Sequence, residues 1–178
     1  MSLKELNEFA SNRILQAVIT VEGKKYPATP LKYPPLCYLL LDDLSIKVKK
    51  PSTSYLLFTT KKLIGEIKYK DISHIKISAA QKMTNFVSFG VGTVTSPECI
   101  ITLKDSSIFH LDCESIAVIP GLIRQLAKKK VTLIDPLKLV DKCTEDSIQD
   151  EELREYIEKV ADKKGINLLR ESSIPNVK

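Results

Sequence analysis

From Leu36 to Cys113 the chain is a succession of short apolar or alternating runs divided by turn residues, and this spacing commits its middle to β-structure. Leu36 to Leu41 is continuously apolar. Asp42-Asp43 then turns the chain into Leu44, Ile46 and Val48, which alternate with Ser45, Lys47 and Lys49. Residues two apart on a strand share a face, so the alternation specifies one buried face and one wet, basic face. Pro51-Ser52-Thr53-Ser54 is a turn cluster, and Tyr55 to Thr60 is rich in strand formers. Leu63 to Tyr69 and Ile72 to Ile77 follow as strands separated at Lys70-Asp71. Cys99 to Leu103, the turn Lys104-Asp105-Ser106-Ser107 and Ile108 to Cys113 read as a hairpin. The total is about seven strands, and their closeness in sequence predicts an antiparallel meander. Residues 79–97 break the pattern: Asn85 to Gly92 mixes apolar side chains with glycine and reads as a long loop or a bulged strand.

The flanks read differently. Ser2 and Glu5 form a capping-box signature, with Leu3, Leu6, Ala10 and Ile14 on one helical face. Val18 to Val21 and Lys24 to Tyr26 flank Glu22-Gly23 as a short hairpin, which Pro27, Pro30, Pro34 and Pro35 keep from extending. After the strands, Ser115 is a candidate N-cap for a helix carrying Ile116, Ile119, Leu122, Ile123 and Leu126 and ending in Lys128-Lys129-Lys130. Pro120 leaves two readings, a helix that begins there or an initial turn followed by a kink. Val131 to Ile134 is a short apolar segment stopped by Asp135-Pro136. Asp150 caps a last helix with Leu153, Tyr156, Ile157 and Val160 on one face and Gly165 closing it; the tail after Arg170 reads as disordered.

Composition narrows the function. Hydrophobic residues at 43% and charged residues at 28% suit a folded globular chain. The charge is uneven: residues 1–82 hold 14 Lys and Arg against 7 Asp and Glu, whereas residues 83–178 hold 13 against 15. A basic half attracts anionic partners. Arginine is scarce beside lysine, however, and aromatics are few, which argues against sequence-specific nucleic-acid readout. Neither a membrane-spanning run nor an apolar signal core is present, so a cytoplasmic location is expected. Cys37, Cys99, Cys113 and Cys143 are too scattered for a zinc motif or disulfide framework and read as buried free thiols.

No catalytic motif emerges. His74 and His110 each fall on a strand face and could meet across a sheet near Asp112, the only hint of an acid-base or metal pair. Gly90-Val91-Gly92 lacks the strand-to-helix setting of a dinucleotide loop. We therefore expect no catalytic residues, no metal and no cofactor.

Tyr55 to Ile64, continued through Ile67-Lys68-Tyr69-Lys70-Asp71-Ile72-Ser73-His74-Ile75, resembles the central motif of bacterial pleckstrin-homology-like and GRAM-like domains: an apolar strand ending in Thr and a polar pair, a second strand, and a Tyr-x-Asp-Ile turn. Ile100 to Asp105 is similar to the family's penultimate hairpin and Ile116 to Lys128 to its capping helix. The likeness spans roughly 36–130, and it departs from the family at Lys62, where Arg is frequent, and at Ser106, where Gly is frequent. The resemblance implies an α+β, mainly β fold: an antiparallel barrel of about seven strands closed by a helix. Residues 1–35 would be a helix-and-hairpin extension, 36–130 the barrel with its helix, and 131–178 a helical extension with a disordered tail. In eukaryotic relatives a comparable rim binds phosphoinositide head groups, which here would fall to Lys47, Lys49, Lys50, Lys61 and Lys62.

The expected function is a non-catalytic scaffolding or protein-interaction module, with a protein partner or a second copy added at a barrel edge or beside the helix. Leu153, Tyr156, Ile157 and Val160 either pack on the barrel or engage that partner. The alternative is peripheral binding to an anionic membrane surface through the five lysines.

Overall fold

A computed structural model describes residues 16–21, 24–26, 37–50, 62–86, 90–113, 116–143 and 148–170. The expected N-terminal helix, the proline-rich stretch, the Tyr55 to Lys61 part of the motif, Ser115 and the tail after Arg170 lie outside these residues.

The alternating segments pair as their turns demand. Hairpins join β3 (Cys37–Leu41), β4 (Ser45–Lys50) and β5 (Lys62–Lys68) into one antiparallel meander. A second meander consists of β6 (Ile72–Phe86), β7 (Gly90–Leu103) and β8 (Ile108–Cys113). At the β3–β4 turn the Asp42 carboxylate accepts from the Leu44 and Ser45 amides at 2.9 and 2.7 Å, an Asx-type turn. At the β7–β8 turn Ser106 adopts a positive φ of 73°, while Asp105 accepts from the Ser107 amide at 2.9 Å.

What unites the two meanders is β1 (Gln16–Val21), which pairs with β8 on one side and β3 on the other; β2 (Lys24–Tyr26) folds back on β1 as the Glu22-Gly23 signal predicts. The N-terminal hairpin is thus a central part of the sheet and not an extension outside residues 36–130. The continuous meander also needs correction. Between β5 and β6 the chain makes a 3₁₀ turn at Tyr69–Asp71, and the ladder is interrupted there.

The closed antiparallel barrel is overturned by the sheet path, which runs β10-β6-β7-β8-β1-β3-β4-β5 and ends on open edges at β5 and β10. No ladder joins those ends among the described residues. Two pairings are parallel, moreover: β9 (Thr132–Ile134) and β10 (Leu169–Arg170) both lie along β6, giving a mixed sheet. Two residues of β10 and three of β9 are too short to show a periodic sequence pattern.

One helix packs against the strands of the open sheet. Ile116–Val118 makes a 3₁₀ turn that leads into α1 (Ile119–Ala127), with Pro120 in the first turn, where its missing N–H has no helical partner to lose. Ile119, Leu122, Ile123 and Leu126 of α1 are buried against Leu39 and Leu41 of β3, Ile46 of β4, Ile75 and Ile77 of β6, Cys99 and Ile101 of β7, and Leu111 of β8. Packing leaves only a void of about 10 Å³ between Leu122, Leu126 and the strands. The core continues through α2 (Leu139–Cys143) to α3 (Asp150–Lys164), whose Leu153, Ile157 and Ala161 belong to it. Gln149 is the residue that caps α3, and Asp150, Glu151 and Glu152 occupy the first turn, where the helix dipole favours negative charge. Gly165, at a φ of 64°, ends it. No helix among the described residues is long and apolar enough to cross a membrane.

Candidate interaction surfaces

The lysine rim is only partly assembled. β4 and β5 set Lys47 opposite Glu66, Lys49 opposite Leu63 and Lys50 opposite Lys62, and Lys61 lies outside the described residues. Lys47 forms an ion pair with Asp42, which keeps its ammonium protonated to higher pH, and Glu66 adds to the effect. Ser45 Oγ completes a small network, donating to Glu66 Oε1 at 2.7 Å and Asp42 Oδ1 at 3.2 Å. Desolvation pushes the Asp42 carboxyl upward, but Lys47 and the hydrogen bonds from Leu44 and Ser45 outweigh it and hold the group at about 2. Lys47 thus already has two carboxylates beside it, which leaves little unbalanced charge for a headgroup phosphate.

The stripe on α3 is turned inward. Leu153 and Ile157 are fully buried, and Tyr156 and Val160 pack against the same core. Tyr156 Oη donates to the Lys138 carbonyl at 3.2 Å, and the Lys142 ammonium sits 5.8 Å from its ring while pairing with Glu152 at 2.8 Å.

The two histidines do not meet. His74 on β6 faces Thr102 of β7, and His110 on β8 faces Ile100 of β7, so a whole strand and a register step separate them. Among the described residues no three His, Cys, Asp or Glu side chains gather where a metal ion could be held. All four cysteines are buried thiols outside any disulfide. Burial pushes Cys37 and Cys143 up to about 11 and Cys99 well above its usual value, so these thiols stay protonated and poorly nucleophilic at neutral pH.

At the α1 end of the sheet the Lys129 ammonium lies 2.9 Å from Asp43 Oδ1 and 5.5 Å from the Tyr69 ring centroid, clasping the helix end to the β3–β4 turn. Tyr69 is 92% buried and its hydroxyl has no hydrogen-bond partner among the described residues. Burial, followed by the nearby Asp42 and Asp43, raises the pKa of that hydroxyl.

Residues 79–86 and 90–97, where a long loop or a bulged strand is expected, belong to a long two-stranded arm. β6 and β7 pair from Ile72 opposite Leu103 to Phe86 opposite Gly90, with one register shift between Ile72 and His74 and an unbroken register from His74 onward. The neighbouring strands end much earlier. β8 joins β7 only over Glu98 to Thr102, and β9 and β10 join β6 at His74 to Lys76 and Gln81 to Lys82. Beyond those points neither outer edge of the arm has a strand partner among the described residues. At the arm's base Gln81 Nε2 donates to Glu158 Oε1 at 2.8 Å, and the Gln81 backbone N–H donates to the Leu168 carbonyl at 2.7 Å, beside an open groove of roughly 490 Å³ lined by Glu158, Asp162, Asn167 and Leu169.

Comparison with family models, curated proteins and solved structures finds no match. The site has to be judged from its own residues.

A signal for the arm does exist in the sequence. The fifteen residues between Lys82 and Glu98 contain no charge, in a chain of which 28% is charged. Met83, Phe86, Val87, Phe89, Val91 and Val94 fall in that stretch. Glycine and mixed polarity obscure its strand periodicity, but the missing charge does not depend on period.

Proposed function

We propose that the chain is a non-catalytic protein-interaction module that engages its partner by strand addition along the β6–β7 arm, and that it is related to the bacterial pleckstrin-homology-like and GRAM-like domains. The observation that carries the reading is the arm itself, a paired ribbon whose outer part is uncharged, strand-forming sequence and whose outer edges have no strand partner there among the described residues. Exposed edges are ordinarily blunted with Lys, Pro or a covering element, because they template pairing with other chains. A two-stranded ribbon is also marginally stable alone in water, so an arm of this length gains from a third strand. The proposed kinship draws on the order of elements: strand β5, the turn at Tyr69–Asp71, β6, the β7–β8 hairpin and then α1.

The test is affinity capture with the tagged full chain, comparing the wild type with a variant carrying Asn85→Lys and Thr93→Lys. Proteins recovered by the wild type and lost from this variant, while a Lys47→Glu and Lys49→Glu variant retains them, support the arm as the contact. Identical recoveries by all three chains overturn it. Cosedimentation with phosphatidylserine vesicles that vanishes in the Lys47→Glu and Lys49→Glu variant would replace it with membrane attachment.

A further inference from the structure

We propose that the strand added to the arm is the same arm of a second copy, with the β7 edges running antiparallel across a two-fold axis at Gly92. This inference names the partner of the surface just described and rests on that reading.

The choice of β7 follows from the sheet. The outer edge of β6 is contacted at the arm's base by β10, and the chain continues from Arg170 at that position. The outer edge of β7 has its last strand neighbour at Glu98, opposite Asp112. From there to Gly90 no strand is paired with that edge among the described residues. Thr95, Ser96 and Pro97 are buried, Val94 is half-buried and Thr93 exposed, so the accessible part of this edge is its outer end.

The choice of a second copy follows from charge and symmetry. Each chain carries a formal net charge of +5, so two copies repel through most of their surfaces. An antiparallel pairing about a two-fold axis sets residues at equal distances on either side of that axis opposite each other, so like charges flanking it would face one another. The uncharged run from Met83 to Pro97 lets two copies meet without that conflict. An acidic or basic partner strand would instead find no complementary charge along this edge. Gly90 and Gly92 add a second indication, since glycine inside a strand often marks a place where another backbone comes close. Centring the axis at Gly92 places Val91 opposite Thr93 of the second copy and Gly90 opposite its Val94, and the two arms become one four-stranded ribbon. Such an isologous contact closes on itself and stops at a dimer.

The experiment is light scattering and sedimentation equilibrium on the full chain from about 1 to about 200 µM, a range that brackets weak to moderate self-association. The mass should rise from 20.0 kDa toward twice that value. A chain carrying Val91→Lys and Thr93→Lys should stay monomeric, as should one carrying Val91→Glu and Thr93→Glu, each with an unchanged circular dichroism spectrum and, at dilutions where the wild type is monomeric, a similar urea midpoint. Mixing the two should restore a 1:1 dimer, because the register sets each lysine against a glutamate. A wild type that stays monomeric throughout, or a dimer that both charged variants retain, overturns the self-pairing. A monomeric wild type whose arm variant still loses captured proteins removes only this inference, whereas a monomer with unchanged capture removes the proposed function as well.

Discussion

Replacing Leu126 with Ala tests whether α1 packs against the strands of the sheet. Leu126 is almost fully buried and, with Leu122, closes the void of about 10 Å³ against Leu39, Leu41, Ile46, Ile75, Ile101 and Leu111. The substitution removes three carbons, worth about 2.4 kcal/mol at roughly 0.8 kcal/mol per buried methylene. The lining comes from strands tied into one hydrogen-bonded sheet and collapses poorly, so a cavity contribution raises the expected loss to about 4 kcal/mol. Ordinary domains have about 5–15 kcal/mol in total, so the variant should fold while its urea midpoint drops by about 2 M for a slope near 2 kcal/mol/M. Leu126→Met, which keeps most of the volume, should lose less than about 1.5 kcal/mol. Leu63→Ala, at a side chain that is 49% exposed on the β5 edge, should lose only about 0.5 kcal/mol. A Leu126→Ala loss below about 1 kcal/mol with an unchanged slope would refute the packing of α1 into the sheet.

Ser106→Gly should stabilise the chain by a few tenths to about 1 kcal/mol in urea titration, because Ser106 holds a left-handed φ that costs a side-chain-bearing residue more than glycine; destabilisation would show that the hydroxyl matters more than the backbone. Tyr69→Phe removes a buried hydroxyl without a partner among the described residues and keeps the ring under Lys129, so a gain of about 1 kcal/mol is expected, and a comparable loss would contradict the structure there. The Asp42 carboxyl is held below its unfolded value, so its contribution is present above about pH 4 and is lost as the pH falls toward about 2. Asp42→Asn, which retains an acceptor for the Leu44 and Ser45 amides, should flatten the decline in thermal midpoint between pH 4 and 2, and an unaltered acid limb would contradict the Lys47 pairing.

Much of the strand inventory is legible in the residues. Asp42-Asp43, Lys70-Asp71 and the Ser106 turn each divide neighbouring strands, and Ile46 with Val48 face inward while Lys47 and Lys49 face out, because period-two alternation and turn chemistry are local properties. Closure is not local. Alternation states which side of a strand is buried but not whether the first and last strands meet, and here β5 and β10 remain open edges where a barrel was expected. The inclusion of β1 between β8 and β3 depends on partners far away in sequence, and β9 and β10 are too short to register. As for the surfaces, Leu153 and Ile157 fit the packed alternative for the last helix, because an apolar stripe says that something covers it and not what. The arm has an irregular pattern that hides its strand periodicity, and its one sequence mark is the missing charge between Lys82 and Glu98.

The position of β1 bears on how the chain acquires its structure during synthesis. The first described strand leaves the ribosome long before β8, yet Ala17 pairs with Cys113 and Val21 with Phe109. Until then one flank of β1 is without its neighbour, and such long-separation contacts slow folding while leaving strand edges open to wrong associations.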